Sequence, residues 1–339
     1  MNSQPPARSA TRSTRLLPAD HASVEAAADI LRAGGLVAFP TETVYGLGAD
    51  ATSGAAVAGI SAAKQRPSFN PLIAHVATLE DARREGVFND AALALAEAFW
   101  PGPLTLVVPV AATGSVCDLA RAGLASVALR VPSDQVALAL IRAAGRPLAA
   151  PSANRSGRVS PTTAAHVFAD LDGRVAMILD GGPTTVGVES TILSCLDDEP
   201  VMLRPGGVPR EAIARVLGRA PRAVEALNAA SDAPLAPGLL ASHYAPRAAI
   251  RLDAREPGPD EAALDFGGQF TLRGVARLDL SPAGDLREAA AALFGHLRAL
   301  DATGAATIAV APIPATGLGE AINDRLARAA APRQAGAVP

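Results

Sequence analysis

The apolar and polar residues of this chain alternate between a helical period and short apolar runs. Apolar residues at helical spacing predict helices at 23–33, 53–64, 134–144, 162–169, 209–217 and 285–302. Two further helices, both short and polar, are predicted within 79–99. Short apolar runs bounded by Gly and Pro predict strands at 36–40, 72–76, 104–109, 127–131, 148–150, 176–179, 191–194, 201–203, 249–252, 264–266 and 308–310. Strands interleaved with helices indicate an α/β fold, with three layers in the first domain.

The composition divides the chain into four parts. Residues 1–15 are rich in Ser, Thr, Arg and Pro, which predicts a disordered tail, although a transit peptide has a similar composition. Residues 16–217 carry most of the predicted elements and form the first domain. Residues 218–246 are rich in Pro and Ala and show little periodicity, which predicts a linker. Residues 247–332 predict a second, smaller α/β domain.

Charge and composition exclude several classes of protein. The chain has 339 residues, 30 basic and 33 acidic, and aromatic residues make up 3% of it. A dedicated nucleic-acid scaffold normally has a basic excess and aromatic stacking platforms, so we expect no stable nucleic-acid binding. No apolar run is long enough to cross a membrane, so we expect a soluble protein. Cys117 and Cys195 are isolated, which favours the reducing cytoplasm.

The standard nucleotide-binding and metal-binding motifs are missing. A P-loop needs Gly-Lys-Ser/Thr, but the lysine Lys64 stands between Ala63 and Gln65. The spacing of Gly46 and Gly48 fits a dinucleotide fingerprint formally, yet no acidic residue follows at the required distance. No cluster of His, Cys or acidic residues has metal-ligand spacing. Any nucleotide site must therefore be built differently.

Five polar segments follow predicted strands or helices, at residues 39–48, 64–71, 150–157, 181–191 and 203–207. Each of them alone could be an ordinary turn, and Lys64 could simply favour a helix C-terminus. Together they are informative, because α/β sheets bind ligands at the carboxyl ends of their strands. Hydroxyl groups, backbone N–H groups and the cations Lys64 and Arg66 suit a polyphosphate. Lys64 is also the only lysine of the chain, which suggests that its compact ammonium is needed.

The linker contains His243 and Tyr244 between prolines, where an aromatic residue is unusual. Two interpretations remain open. Tyr244 could be a packing anchor, or the linker could close as a lid over the first domain.

The polar segments also resemble a known family. The sequences FPTETVYGLGAD, KQRP, NPLIAHV, WPGPLTLVV, ALRVPS, APSANRSG, GVESTIL and LRPGG, in this order, are similar to those of the YrdC-like family in its long, two-domain form. The segment APGLLASHYAP at 236–246 resembles the linker motif of the threonylcarbamoyl-AMP synthases in that family. The resemblance covers residues 16–246, and it matches the tail domain in position and class only.

The resemblance implies a fold and a reaction. The fold is a YrdC-like domain with a twisted mixed sheet and a Rossmann-like C-terminal domain. The reaction joins ATP, L-threonine and bicarbonate to give threonylcarbamoyl-AMP and pyrophosphate, with Mg²⁺ carried by the ATP phosphates and no metal held by the protein. The product serves the modification of tRNA next to the anticodon. We expect downstream transfer proteins as partners, and no membrane.

The resemblance also implies roles for individual residues. Those that would bind L-threonine are Thr43, His75, Arg130, Ala150 and Ser190. Those that would bind ATP are Lys64, Arg66, Asn70, Ser126, Ser152, Asn154, Ser160, Arg204 and Tyr244. Lys64 and Arg66 would stabilise the charge that develops during the reaction.

The linker departs slightly from the family pattern. Leu239 stands where methionine is frequent, and Ala241 and Ser242 stand where some members have basic residues, so the contacts of a lid are open.

Two other functions are alternatives. A YrdC-like module could bind RNA without synthase activity, which the net charge of −3 disfavours. A carbamoyl-transferring maturation factor would need zinc-finger cysteines, which two isolated cysteines do not provide.

Overall fold

A computed structural model describes residues 13–65, 70–223, 244–272 and 274–332. These residues form two units, each built on its own sheet. The large unit spans residues 13–223 and the C-terminal unit spans residues 244–332. The predicted site residue Arg66, the linker residue His243 and most of the predicted N-terminal tail (residues 1–12) lie outside the described ranges.

The large unit contains a mixed sheet of eleven strands among the described residues, in the order β1-β8-β2-β3-β7-β4-β6-β5-β9-β10-β11. Parallel pairs such as β4 with β6 occur in the same sheet as antiparallel pairs such as β5 with β6. The strands are β1 Arg15–Pro18, β2 Val37–Phe39, β3 Gly46–Asp50, β4 Ile73–His75, β5 Leu104–Pro109, β6 Ser126–Arg130, β7 Leu148–Ala149, β8 Met177–Asp180, β9 Thr191–Ser194, β10 Val201–Arg204 and β11 Arg222–Ala223.

The helices of the large unit begin mostly at residues that cap them. Asp20, Ser53, Thr78, Asn89, Asp134 and Thr163 each accept a hydrogen bond from a backbone N–H of the first turn, which satisfies a donor that the helix leaves free. The helices are α1 His21–Arg32, α2 Gly54–Lys64, α3 Leu79–Glu85, α4 Asp90–Phe99, α5 Gln135–Ala144, α6 Ala164–Leu171 and α7 Arg210–Leu217.

Helices cover both faces of the large sheet. Val37 and Phe39 of β2 join a core with α1 and α5, whereas Ala38 between them joins the core with α2 and α4 on the other face. This alternation follows from the two-residue period of a strand. The three-layer arrangement predicted from the sequence is therefore confirmed.

The C-terminal unit is a parallel sheet of four strands in the order β12-β15-β13-β14. Its strands are β12 Ala249–Arg251, β13 Ala262–Asp265, β14 Ala276–Asp279 and β15 Thr307–Val310, and its helices are α8 Leu286–Asp301 and α9 Leu318–Ala330. An apolar cluster joins this unit to the large one, since Val44, Val159 and Val188 pack in the same core as Leu293 and Phe294 of α8.

The structure corrects several boundaries. Arg15 is not part of a tail, because it begins β1, which pairs with β8. The linker does not begin at 218, because Arg222 and Ala223 form β11 beside β10.

The sequence pattern also missed elements. The predicted turn around Gly46 is the buried strand β3, and β14 and α9 were not predicted at all. The strand β3 is rich in Gly and Ala, so its sequence shows little apolar alternation. The helix predicted as the second polar one is α4, which buries Ala92, Leu95 and Ala96.

Candidate functional site

The polar segments singled out from the sequence meet at one region of the large unit. The loop between β2 and β3 is hydrogen-bonded to the loop after β7, with Tyr45 N donating to the carbonyl of Pro161 and Ala153 N donating to that of Tyr45. It also contacts the loop before β9, where Val186 N donates to the carbonyl of Glu42. Ala245 N, at the start of the C-terminal unit, donates to the carbonyl of Gly157. Three of the predicted polar segments and the end of the predicted linker therefore form one cluster.

The loop before α7 joins this cluster through a close backbone approach. A Cβ atom on Gly206 would lie 2.4 Å from the carbonyl oxygen of Glu189. Only glycine allows the two chains to pass at that distance. The glycine of the LRPGG segment thus brings Arg204 next to the loop that carries Ser190.

A buried charged pair lies at the centre of the sheet. Arg130 ends β6, and its Nη2 atom lies 2.7 Å from Oε1 of Glu42. Neither carboxylate oxygen of Glu42, nor Nη2 of Arg130, has a well-aligned hydrogen bond within the described ranges. Buried polar groups without hydrogen bonds are rare in folded proteins, so this geometry is suited to a ligand that carries both an anion and a cation.

His75 adjoins this pair and is uncharged. It is opposite Arg130 in the parallel pairing of β4 with β6. Burial, together with the positive charge of Arg130, lowers the pKa of His75 to about 3. Its Nδ1 lies 3.2 Å from the carbonyl of Ile73. His75 can therefore offer a neutral ring and a hydrogen bond, but no charge.

The other predicted threonine-binding residues lie on segments next to those that carry the pair. Thr43 is fully buried and shares a 2.8 Å hydrogen bond between hydroxyl groups with Thr41. Ala150 follows β7, and its backbone N donates to the carbonyl of Ile73 beside His75. Ser190 shares a 2.8 Å hydrogen bond between hydroxyl groups with Thr105 of β5.

Lys64 ends α2 and reaches the loop after β7. Its Nζ donates to the backbone carbonyls of Ser152 and Asn154, both at 2.5 Å. The side-chain amide nitrogen of Asn154 donates to the carbonyls of Arg155 and Arg158, which holds the loop in a tight turn. The oxygen Oδ1 of Asn154 is buried without a hydrogen bond to any described residue. Lys64 thus shapes the loop and also gives it a positive charge.

Two more predicted residues are buried near the sheet. Asn70 has a side-chain nitrogen without a hydrogen bond to the described part of the chain, so a donor is free there. Ser126 begins β6 and lies opposite Pro109 of β5.

A second charged cluster surrounds Ser160. The hydroxyl of Ser160 donates to Oε1 of Glu189 at 2.5 Å, and Oε2 of Glu189 accepts from Nε of Arg325 at 2.7 Å. Burial alone would raise the pKa of Glu189, but the guanidinium groups of Arg325 and Arg204 hold it below its usual value. Glu189 is therefore ionised.

Arg204 and Tyr244 belong to the same cluster. Arg204 donates from Nη2 to the carbonyl of Ser190 at 2.9 Å, and burial lowers its pKa. Tyr244 is buried, and its ring is stacked on Phe294 of α8 with centroids 5.7 Å apart. The packing interpretation of Tyr244 thus agrees with the structure. The lid hypothesis stays a prediction, because residues 237–243 lie outside the described ranges.

Three residues of these clusters were not selected from the sequence. Glu42 and Glu189 are the single acidic residues of their polar segments, and that isolation was the available signal. Arg325 is on α9, far along the chain, and nothing in its local sequence distinguishes it from other helical arginines.

The described residues contain no group of three or more His, Cys, Asp or Glu side chains that could hold a metal ion. None of the helices within the described ranges is long and apolar enough to cross a membrane.

Comparisons with known proteins agree with this geometry. A family model described as "Telomere recombination" matches residues 29–206, and one described as "Threonylcarbamoyl-AMP synthase, C-terminal domain" matches residues 208–331. The threonylcarbamoyl-AMP synthase of Bacillus subtilis is 44% identical, over 91% of this chain and 92% of the relative. That of Pyrococcus abyssi is 41% identical, over 90% of this chain and 93% of the relative.

Solved structures agree as well. The crystal structure of P. abyssi Sua5 complexed with L-threonine is 38% identical with a TM-score of 0.85, and the match covers 94% of this chain and 98% of that one. The resemblance and the fold class stated from the sequence are confirmed. This chain belongs to the threonylcarbamoyl-AMP synthase family, in the form that carries the family's C-terminal domain.

Proposed function

We propose that this protein is a nucleotidyltransferase that makes threonylcarbamoyl-AMP and pyrophosphate from ATP, L-threonine and bicarbonate, for the modification of tRNA next to the anticodon. The observation that carries the proposal is the pairing of two different subsites in one cluster of loops. One subsite offers a buried guanidinium and carboxylate, and the other offers cations, hydroxyls and amides. An amino acid and a nucleotide are the two substrates that such a pair accommodates.

The Arg130 subsite suits the α-amino acid. A guanidinium binds a carboxylate with two parallel hydrogen bonds, so Arg130 would bind the threonine carboxylate. Glu42, whose oxygens are free of well-aligned hydrogen bonds to the described residues, would accept from the threonine amine. Thr43, the neutral His75 and Ser190 would contact the rest of the amino acid, beside the small side chain of Ala150.

The second subsite suits ATP. Lys64, Arg66, Asn70 and Ser126 would lie on one side of the nucleotide, and Arg66 belongs to this set by resemblance alone. The loop residues that complete the subsite would be Ser152, Asn154, Ser160, Arg204 and Tyr244. Mg²⁺ would enter with the ATP phosphates, as part of the substrate, and not through protein ligands.

The reaction would proceed in two steps. The threonine amine, after losing a proton, attacks the carbon of bicarbonate and forms a carbamate with loss of water. A carbamate oxygen then attacks the α-phosphorus of ATP, the bond from that phosphorus to the bridging oxygen breaks, and pyrophosphate leaves. Neither step needs a covalent bond to the protein. Catalysis would rest on alignment and on stabilisation of negative charge by Lys64 and Arg66.

The site of action and the partners are part of the proposal. We infer that the protein works in the cytoplasm and passes its product to tRNA threonylcarbamoyl-transfer proteins. The two described cysteines are unpaired, which agrees with a reducing compartment.

Pyrophosphate release tests the function. The full protein is mixed with ATP, Mg²⁺, L-threonine and bicarbonate, and each component is omitted in turn. Release should require both threonine and bicarbonate. Lys64→Ala should lower the rate about 100-fold or more, because a buried positive charge at the reacting phosphates is lost. The matched control Arg83→Ala removes an exposed cation from α3 and should leave the rate unchanged.

Two results would contradict the proposal. Release with ATP alone would indicate a different acceptor. No release, together with measurable RNA binding, would favour the RNA-binding alternative.

A further inference from the structure

Arg325, on the last helix of the C-terminal unit, is buried in the cluster around Ser160. Arg325 has a relative exposure of 0%. Besides its contact with Glu189, its Nη2 donates to the carbonyl of Pro205 at 3.0 Å, and its Nη1 donates to Asp324 at 2.5 Å. The guanidinium carbon also lies 5.2 Å from the centre of the Tyr244 ring. One side chain thus contacts three segments outside its own helix.

Other contacts besides those of Arg325 hold the two units together. The apolar cluster that contains Val188 and Phe294 already joins them. A backbone contact adds to it, because a Cβ atom on Gly187 would lie 2.3 Å from the carbonyl oxygen of Ala290 on α8. Burying a charged pair is unfavourable, and apolar residues of similar volume often stabilise a protein as well or better. We therefore expect the charged cluster to do more than hold the two units together.

Each partner of Arg325 outside α9 belongs to the proposed ATP subsite or is next to one of its residues. Glu189 accepts from the hydroxyl of Ser160 through its other oxygen. Pro205 follows Arg204 in the chain. The third partner is Tyr244 itself, which contacts both Arg325 and Phe294. A planar guanidinium with donors in fixed directions can orient all three at once, which a lysine cannot do.

We propose that Arg325 is a positioning residue of the ATP subsite, through which the C-terminal unit fixes Ser160, Arg204 and Tyr244 in the geometry that binds the nucleotide. The inference rests on the proposed function for the identity of the ligand. It assigns a specific role to the C-terminal unit, because the nucleotide subsite is complete only when α9 is packed against the large unit.

The test measures binding of each ligand separately. Titration calorimetry follows the binding of a non-hydrolysable ATP analogue with Mg²⁺, and of L-threonine, to the full protein. Arg325→Lys should raise the Kd of the ATP analogue about 10- to 100-fold, because the charge stays and the directed hydrogen bonds are lost. The Kd of L-threonine should change about twofold or less, since Arg325 bonds to Glu189, Asp324 and Pro205 and reaches Ser190 only indirectly, through Arg204.

The matched control breaks another ion pair between the units. Arg210 of α7 and Glu320 of α9 lie 2.6 Å apart, with exposures of 32% and 30%, and their ion pair does not include any residue of the Ser160 cluster. Glu320→Gln should leave both dissociation constants unchanged. Melting temperatures of all variants show whether they are folded.

A double-mutant cycle separates positioning from general packing. Arg325→Lys should raise the Kd of the ATP analogue by a factor about three times smaller in a Ser160→Ala background than in the otherwise unsubstituted protein. The reason is that the two residues act through the shared contact with Glu189. If Arg325→Lys does not fold, the apolar pair Arg325→Met with Glu189→Met should restore folding without restoring affinity for the nucleotide.

Three outcomes would overturn the inference. The first is wild-type affinity for the ATP analogue in Arg325→Lys or in the apolar pair. The second is an equal loss of affinity for both ligands in Arg325→Lys, with the same loss in Glu320→Gln, because the network would then only join the units. The third is that the unsubstituted protein binds L-threonine but no ATP analogue, which would also overturn the proposed function.

Discussion

The two ends of the site are built in different ways. The proposed amino-acid end lies within one sheet, where neighbouring strands carry His75 and Arg130 and the adjacent loop carries Glu42. The proposed nucleotide end joins loops of the large unit to Tyr244 and to Arg325 of α9. Strands fix the first end through backbone pairing, whereas the second end depends on how two units pack. We therefore expect substitutions to affect the two ligands separately.

A substitution of Arg130 should give the largest difference between the effects on threonine binding and on ATP binding. Arg130→Met removes the guanidinium that would bind the threonine carboxylate and leaves Glu42 buried without this partner. Truncating one member of a buried charge pair costs about 2–5 kcal/mol, so the Kd of L-threonine should rise about 100-fold. The Kd of an ATP analogue, measured by the same calorimetry, should change little.

In Arg130→Met the buried charge of Glu42 remains, so a control has to separate its effect on stability from the effect on binding. Arg130→Met alone should also lower the free energy of unfolding by about 3–5 kcal/mol, and the double variant with Glu42→Gln should recover most of that loss. It should not recover threonine binding, because both of the charged groups that would bind the amino acid are then changed. Recovery of threonine binding in the double variant would show that Arg130 acts through stability alone.

A smaller effect should appear at the nucleotide end. Phe294→Leu removes the ring on which Tyr244 is stacked. Such a ring pair contributes about 0.5–1.5 kcal/mol beyond its buried area, so the Kd of the ATP analogue should rise about three- to tenfold with threonine binding unchanged. Phe270→Leu is the matched control, because Phe270 is buried in a different core of the C-terminal unit. An equal effect of both variants would show that the unit's general stability matters, and not the contact with Tyr244.

The smallest effect concerns pH and stability. The pKa of His75 is lowered to about 3 in the folded protein, so below its usual value of about 6.5 the unfolded chain takes up a proton that the folded state excludes. This residue's contribution to stability is complete above that pH and decreases as the pH falls toward 3. His75→Gln should therefore flatten the dependence of unfolding free energy on pH, by up to about 1.4 kcal/mol per pH unit. Urea unfolding at several values between pH 4 and 7 measures this slope, and an unchanged slope would contradict the assignment.

Much of the fold could be predicted from local sequence. The strands at Leu104–Pro109 and Thr191–Ser194 have the predicted ends, because each is an apolar run bounded by turn residues. The strand Gly46–Asp50 could not be recognised, since small residues give almost no apolar signal and only its neighbours make it a strand. The helix Leu318–Ala330 has no side-chain cap at its start, so the usual signal for a helix N-terminus is missing.

The same division applies to the site. The sequence by itself determined the family, the order of most elements and the polar segments at the strand ends, because these are properties of neighbouring residues. Only the tertiary structure brought Glu42 to Arg130 and Arg325 to Glu189, pairs that are 88 and 136 residues apart in the chain. A carboxylate far from its partner in sequence resembles any other charged residue, and only the fold shows that it is buried beside that partner.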